Sequence, residues 1–253
     1  MYKSTKTVLK ALDILETFLQ NDGPLNLSDI SHTTKINPAT TYRLTSTLLK
    51  RGYLSQGRNK GKYSLGLRLM DFNYAIRRNL KFIDFAYISL SKLRREVNES
   101  VYLAIKDGDE SIVMEEIGVD DELRINSPIG KRLKLHCTAG GKIFLASLSD
   151  EERADYFSRN PLQPFTKNTI TDIAQLEKEL KTVKMEGVAF DREEYRMGIW
   201  AVAAPVYDTG RNVIAITGLL VLRSHVTEEN TQKYGTAIRS CAGEISQIVT
   251  RIM

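Results

Sequence analysis

The 253-residue sequence contains few cysteines and few histidines, and this shortage argues against several classes of protein. The two cysteines, Cys137 and Cys241, lie far apart, which argues against a disulfide framework and fits a reducing cytoplasm. Neither an H-x-x-x-H nor a C-x-x-C spacing occurs, so no bound metal is expected. The glycines form neither a G-x-G-x-x-G motif nor a phosphate-binding loop, so no cofactor is expected.

Long apolar runs are also missing. No run approaches the roughly 18 residues that a membrane-spanning helix needs, and the charged start lacks the apolar core of a secretion signal. Apolar residues make up 42% and charged residues 26% of the chain, which is typical of a globular protein of one or two domains. We therefore expect a cytoplasmic protein that does not enter a membrane.

The positive charge is concentrated near the N-terminus. Residues 1–80 hold 13 basic and 5 acidic residues, a net charge of +8, whereas the remainder carries −3 of the total +5. A basic third on a mildly acidic body indicates a module that binds a polyanion, although a solvated basic face would have the same composition.

Three helices are predicted in the N-terminal third of the chain. Apolar residues spaced by three and four predict a helix over residues 5–20, and a shorter helix follows over residues 27–34. Asn37-Pro38 is a strong start signal for a third helix over residues 39–51, and Gly52 suits its end.

A hairpin with a basic tip is predicted over residues 53–65, and together with the three helices it forms the layout of a winged helix-turn-helix. The third helix is expected to turn Leu44 and Leu48 inward and a polar face outward. Carboxylates, which DNA phosphates would repel, are absent from residues 31–70. The candidate DNA-binding residues are Lys35, Ala39, Thr40, Thr41, Tyr42, Arg43, Ser46, Arg58, Lys60 and Lys62, although Thr41 is also expected to pack inward.

The rest of the chain predicts a helical connector followed by an α+β domain. Residues 66–96 are mostly helical in pattern, with a break near residues 78–81. Strands are predicted over 100–106, 111–117, 123–125, 188–190, 201–207 and 212–222, and helices over 138–148, 150–158, 172–186 and 227–252. Mainly antiparallel strands with flanking helices indicate an α+β fold.

The sequence resembles the IclR family of bacterial transcription regulators over nearly its whole length. In the N-terminal part the resemblance is carried by Lys10-Ala11-Leu12-Asp13-Ile14-Leu15, Thr40-Thr41-Tyr42-Arg43-Leu44, Gly52-Tyr53-Leu54 and Tyr63-Ser64-Leu65-Gly66. In the C-terminal part it is carried by Leu135-His136-x-Thr138-Ala139-x-Gly141-Lys142, Thr169-Ile170-Thr171, Glu186-Gly187-Val188-Ala189-x-Asp191-x-Glu193-Glu194 and Ala203-Ala204-Pro205-Val206.

The resemblance implies a DNA-binding regulator, with repression favoured over activation, that responds to a small metabolite. It implies a winged helix-turn-helix domain at residues 1–66, a connecting helix at 67–80 and a GAF-like effector domain at 81–253. The implied effector is an organic, sugar-derived or aromatic acid, and the implied partners are double-stranded operator DNA and a second copy of the chain, as a dimer or a dimer of dimers. The positions implied to contact the effector are Ile125, Leu133, Ala139, Gly140, Asp191, Ile199, Ala201, Gly218 and Leu220.

Three of these positions depart from the family pattern. Ala201 stands where cysteine is frequent, and Gly218 and Leu220 stand where hydroxyl residues are frequent. These losses predict a more apolar pocket for a bulkier or less polar ligand. Glycines at the start of the helix after Thr138 are expected to let a ligand approach the backbone, and Asp191 is expected to accept a ligand hydroxyl. Ordinary core packing is the alternative for each position.

Two other functions compete with a ligand-controlled regulator. The C-terminal domain could serve only structure or dimerisation, or the chain could be an enzyme with an accessory DNA-binding domain. His136 and Cys137 are adjacent and would point to opposite faces of an extended segment, which is poor geometry for a catalytic pair. Asp191, Glu193 and Glu194 lack a partner nucleophile, so no catalytic residue is expected and the protein is predicted not to be an enzyme.

Overall fold

The computed structural model describes residues 4–21, 23–57, 61–119, 125 and 127–252. The chain divides into two compact units, residues 1–80 and 81–253, and each is described by itself. Within the described residues, none of the helices has the length and hydrophobicity needed to span a bilayer.

The N-terminal unit is built on three helices whose ends follow the predicted signals. Their bounds are α1 Lys6–Thr17, α2 Leu27–Thr34 and α3 Pro38–Lys50. The Asn37 side chain accepts a hydrogen bond from the Thr40 backbone N–H, at 2.9 Å, and so caps α3. Gly52 adopts a φ of +77° directly after the helix, a conformation that glycine takes without strain.

A small sheet completes this unit. The predicted hairpin is formed by β2, Leu54–Gln56, and β3, Lys62–Leu65, and a two-residue strand β1, Leu25–Asn26, pairs with the other side of β3. Strand β1 was not predicted, because two residues are too short to show a period. The sheet closes over a core whose members are Ile14, Phe18, Ile30, Ile36, Leu54 and Tyr63. The connecting helix α4 spans Arg68–Asn79, and the predicted helix break falls at residues 80–81.

The C-terminal unit contains a six-stranded antiparallel sheet with the order β6-β5-β4-β9-β8-β7. The strands are β4 Ser100–Asp107, β5 Glu110–Ile117, β6 Arg132–Lys134, β7 Ala189–Arg192, β8 Ile199–Tyr207 and β9 Val213–Leu222. The predicted strand over residues 123–125 is not assigned: residues 123 and 124 lie outside the described residues, and Ile125 belongs to no strand. Strand β6, next to β5, forms this edge of the sheet instead.

Helices cover both faces of this sheet. They are α5 Phe82–Val97, α6 Ala139–Ser147, α7 Asp150–Arg159, α8 Ile173–Glu186 and α9 Glu228–Ile252. Helices α5 and α9 pack on each other and on one face, while α6 packs against β8 and β9 from the other and is backed by α8. A large core lies on the α6 side, where Ala201, Ala203 and Ile216 share a cluster with Ile143 and Phe144. The predicted α+β architecture is confirmed.

Candidate functional site

A polar face of α3 is open to solvent in the N-terminal unit. Ala39, Tyr42, Arg43 and Ser46 follow one another at helical spacing; the first three are exposed and Ser46 is half-buried. The Tyr42 side chain is 59% exposed, so the helix offers a phenol and a guanidinium on the same surface. Tyrosine, arginine and serine side chains are donors to base edges and phosphates in DNA complexes.

The turn before α3 and the wing carry further exposed cations. Lys35 lies in the turn between α2 and α3 with a φ of +54°, and Lys62 begins β3 of the wing. Both side chains are exposed, as is that of Arg43. Among the described residues, none of these three cations has an ion-pair partner within 4.0 Å. The predicted wing-tip contacts Arg58 and Lys60 lie outside the described residues.

Thr41 is the predicted DNA contact that the structure contradicts. Its side chain is 0% exposed, and its hydroxyl donates to the backbone oxygens of Asn37, at 3.0 Å, and Ile36, at 3.2 Å. Thr45, one turn later, is equally buried and donates to the Thr41 oxygen at 2.9 Å. The two threonines therefore lie on the buried side of α3. Thr40, which is half-buried, remains a candidate at the border of the exposed face.

The C-terminal unit brings six of the nine predicted effector positions to one cavity between the sheet, the loop before β6 and the segment after β7. The six are Ile125, Leu133, Asp191, Ile199, Ala201 and Leu220. The cavity volume is ≈ 40 Å³, and five of its twelve lining residues are aliphatic. Since Ile199 and Ala201 alternate along β8, both point into the cavity, whereas Trp200 points away and contacts the guanidinium groups of Arg192 and Arg223.

Ala139, Gly140 and Gly218 do not line this cavity, and packing explains the two glycines. A Cβ atom at Gly218 would lie 2.5 Å from the Tyr102 hydroxyl oxygen and closer still to its ring, so the phenol ring occupies the space over this glycine. A Cβ atom at Gly140 would lie 2.9 Å from Ile216 Cδ1. The glycines at the start of α6 were expected to admit a ligand to the backbone, but protein atoms occupy that space: Ile216 at Gly140 and the Leu135 backbone at Gly141.

The cavity that the described residues form at these positions is also smaller than expected. The reason is Tyr102, which the sequence did not indicate as a site residue: its ring fills the volume that glycine at position 218 leaves. A larger cavity of ≈ 520 Å³ opens at the other end of α6, but none of the predicted effector positions lines it. The smaller cavity is the candidate site because it combines apolar walls with converging polar groups.

Asp191 is the carboxylate of the cavity, and its position is fixed by the turn that follows β7. Its Oδ1 accepts hydrogen bonds from the backbone N–H groups of Glu194, at 2.6 Å, and Tyr195, at 3.3 Å. Burial raises the pKa of Asp191 to about 7, the two backbone donors oppose this rise, and the charge of Glu194 adds to it. The group therefore titrates near neutral pH.

A buried lysine holds this turn in place. The ammonium group of Lys142, on α6, contacts Glu194 Oε1 at 2.6 Å, the Phe190 backbone oxygen at 2.9 Å and Glu179 Oε1 at 3.2 Å. Lys142 is fully buried, so these three oxygens replace water around its charge. The network joins α6, α8 and the end of β7 directly beside Asp191.

Two cations line the outer part of the cavity, and neither was predicted. Lys131 is half-buried and lies over the ring of Tyr195, and Arg196 is exposed. Burial lowers the pKa of Lys131, the charge of Arg196 lowers it further, and Glu116 opposes both. Neither cation forms an ion pair within 4.0 Å in the described part of the chain, so an anion in the cavity would relieve their mutual repulsion.

The only adjacent histidine and cysteine do not form a reactive pair. His136 Nε2 lies 3.0 Å from the Gln163 backbone oxygen, and Cys137 is fully buried. Burial raises the pKa of Cys137 to about 12, so it remains a thiol at neutral pH.

Comparison with known families covers both units. The family described as IclR helix-turn-helix domain matches residues 7–58, and the family described as Bacterial transcriptional regulator IclR C-terminal matches residues 75–247. The chain is similar to HTH-type transcriptional repressor AllR of Escherichia coli (strain K12), with 28% identity over 244 residues that cover 96% of this chain and 90% of the relative.

Solved structures show the same fold. IclR of Thermotoga maritima superposes with a TM-score of 0.80 at 28% identity, covering 96% of this chain and 98% of that one. An IclR homologue from Microbacterium hydrocarbonoxydans, complexed with 4-hydroxybenzoate, superposes with a TM-score of 0.86 at 22% identity, covering 96% and 99%. The predicted fold is confirmed, and the chain belongs to the IclR family of bacterial transcriptional regulators.

Proposed function

We propose that this regulator represses transcription by placing α3 in the major groove of an operator while the β2–β3 wing contacts the phosphate backbone. The observation that supports the proposal is the exposed α3 face with Tyr42 and Arg43. Arg43, Lys35 and Lys62 are exposed cations of this unit without an ion-pair partner within 4.0 Å among the described residues. Each phosphate that a cation neutralises releases counterions, so affinity is expected to fall steeply with salt. Because operator DNA lies in the cytoplasm of a bacterium, we propose that the protein acts there.

The chain is expected to act as a homodimer or a dimer of dimers. One recognition helix reads only a few base pairs, so two copies on a pseudo-palindromic operator supply the length that specific binding needs. Analytical ultracentrifugation of the full chain with and without operator DNA measures this directly, and a monomer bound to a single half-site would contradict it.

The effector is proposed to be an organic acid held in the ≈ 40 Å³ cavity. Its carboxylate would lie near Lys131 and Arg196, and its polar end near Asp191, with aliphatic walls between them. A purely structural C-terminal unit would not need the unpaired cations Lys131 and Arg196 in a cavity, so they favour a binding function. The buried Cys137 thiol gives no support to a catalytic function. The ligand can control DNA binding only if it binds two conformations of the chain unequally.

The DNA-binding half of the proposal is tested with Arg43→Ala. An operator is first selected from random DNA with the full chain, and affinity is then measured by fluorescence anisotropy at several salt concentrations. We expect Arg43→Ala to weaken binding at least tenfold and to reduce the salt dependence, because one phosphate or base contact is lost. Lys178→Ala on α8 removes the same charge from an exposed site in the other unit and serves as the control. Equal affinity of the two variants would contradict the assignment of α3.

The sensing half is tested by screening organic acids for a rise in thermal stability, since a ligand that binds only the native state stabilises it. We expect a hit to release operator DNA from the unmodified chain. We expect Lys131→Gln to bind the hit at least tenfold more weakly while its DNA affinity without ligand is unchanged. If a hit bound the unmodified chain and Lys131→Gln equally, this cavity would not be the effector site.

A further inference from the structure

Tyr102 and Gly218 form a matched pair at the centre of the sheet. They lie directly opposite each other on β4 and β9. A Cβ atom at position 218 would lie 2.5 Å from the Tyr102 hydroxyl oxygen, so the ring can lie across β9 only because residue 218 is glycine. This arrangement carries the phenol to the inner wall of the effector cavity.

The Tyr102 hydroxyl belongs to a residue that lines the cavity, and it is free to bind a ligand. The side chain is 3% exposed, and its hydroxyl makes no hydrogen bond to any described residue. Burial raises the pKa of Tyr102, and the nearby charge of Asp191 raises it further, so the phenol stays neutral and keeps its proton. A hydroxyl that lines the cavity without a protein partner is available to a ligand oxygen there, and that hydrogen bond would favour binding.

We propose that Tyr102 determines which effector the cavity accepts: its ring restricts the ligand to a short acid, and its hydroxyl, together with Asp191, binds a hydroxyl group on that acid. The inference rests on the proposed function and specifies its ligand. A hydroxyl group can accept a hydrogen bond from Tyr102 and donate one to Asp191. The carboxylate of the same molecule reaches Lys131 and Arg196 on the outer wall. The ligand class is therefore a short hydroxy acid.

The size restriction follows from the cavity volume. A volume of ≈ 40 Å³ is far below the roughly 300 Å³ at which drug-sized ligand pockets begin. Removing the ring of Tyr102 would join its volume to the cavity and make room for an aromatic acid. The first experiment therefore uses 4-hydroxybenzoate as the probe and compares the full chain with Tyr102→Ala by calorimetry and thermal shift.

We expect Tyr102→Ala to bind 4-hydroxybenzoate at least tenfold more tightly than the unmodified chain. Equal binding by both proteins, or binding by neither, would overturn the size restriction. Tyr102→Phe serves as the control because it keeps the ring, and it is expected to exclude the probe as the unmodified chain does. Far-UV circular dichroism verifies that each variant is folded.

The second experiment tests the hydroxyl group with matched probe pairs. Glycolate is compared with acetate, and lactate with propionate, on the unmodified chain and on Tyr102→Phe. We expect the unmodified chain to prefer each hydroxy acid by about tenfold, and Tyr102→Phe to lose most of that preference without losing affinity for acetate or propionate. Equal affinity for both members of each pair, or no binding of either hydroxy acid to the unmodified chain, would overturn the ligand class.

The third experiment needs no ligand. Gly218→Ala is expected to lower the melting temperature of the unmodified chain by several degrees, because the new methyl group overlaps the Tyr102 ring. The same substitution in Tyr102→Ala is expected to have little effect, so the two changes are strongly coupled. Additive effects would show that Tyr102 does not depend on Gly218.

These experiments separate the inference from the proposed function. If no acid releases operator DNA from the unmodified chain, the proposed sensing function fails. The coupling of Tyr102 to Gly218 and the 4-hydroxybenzoate comparison still decide whether Tyr102 controls the cavity.

Discussion

Replacing Asp191 with asparagine tests whether the buried carboxyl group of Asp191 titrates near neutral pH. The substitution keeps an oxygen in the place of Oδ1, which accepts the hydrogen bonds from the Glu194 and Tyr195 backbones. It removes the group whose pKa burial raises to about 7. The variant therefore isolates the cost of ionising one buried carboxyl group.

The expected magnitude follows from the pKa. In the unfolded chain the carboxyl group titrates near its ordinary value of 3.8, so between that pH and about 7 the native chain holds a proton that the unfolded chain has released. The free energy of unfolding consequently falls as pH rises through this window, by about 1.4 kcal/mol per unit. Over roughly three units the loss is about 4 kcal/mol, and it persists above pH 7.

The assay is urea unfolding at several pH values between 4 and 8. Trp200 is the only tryptophan and lies on β8, so its fluorescence reports the unit that contains Asp191. We expect Asp191→Asn to be more stable than the unmodified chain at pH 8, and this advantage to vanish towards pH 4. Parallel pH profiles for the two proteins would show that Asp191 does not titrate near neutrality.

Three other substitutions probe packing in the C-terminal unit. Lys142→Met should cost about 3–5 kcal/mol in the free energy of unfolding, measured by the same fluorescence, because Glu194 would remain buried without its cation; a change below about 1 kcal/mol would contradict the network. Gly141→Ala should cost about 3 kcal/mol, since its methyl group would lie 2.6 Å from the Leu135 carbonyl carbon. Gly243→Ala, with open space around it on α9, should instead stabilise by up to about 1 kcal/mol.

Local signals were sufficient to predict most helices and strands. Asn37-Pro38 marked the start of α3, and the turn between β8 and β9 was evident from Asp208-Thr209-Gly210. These elements are specified by residues close together in the sequence, where capping and turn geometry act. The helical period also predicts the inward position of Thr41, and this position rules out a DNA contact by its side chain.

The shape of the cavity is set by contacts between residues that are far apart in the sequence, and sequence patterns do not reveal such contacts. Tyr102 meets Gly218 only because β4 pairs with β9 in one register, and a shift by one residue would turn the ring to the other face. Lys142 is a charged residue that ordinarily lies at a surface, and its burial follows from three oxygens supplied by β7, α8 and the turn after β7. The size of the site could therefore not be obtained from residue types alone.

The pairing of β4 with β9 has a consequence for biosynthesis. These neighbours at the centre of the sheet come from opposite ends of the C-terminal unit, around residues 100 and 220. While the ribosome is still making the segment between them, β4 has an open edge with unpaired backbone groups, and such edges recruit other strands. The three helices and wing of the N-terminal unit are complete long before β9 emerges. The nascent chain therefore acquires its DNA-binding surface first and passes through an aggregation-prone stage before the cavity can close.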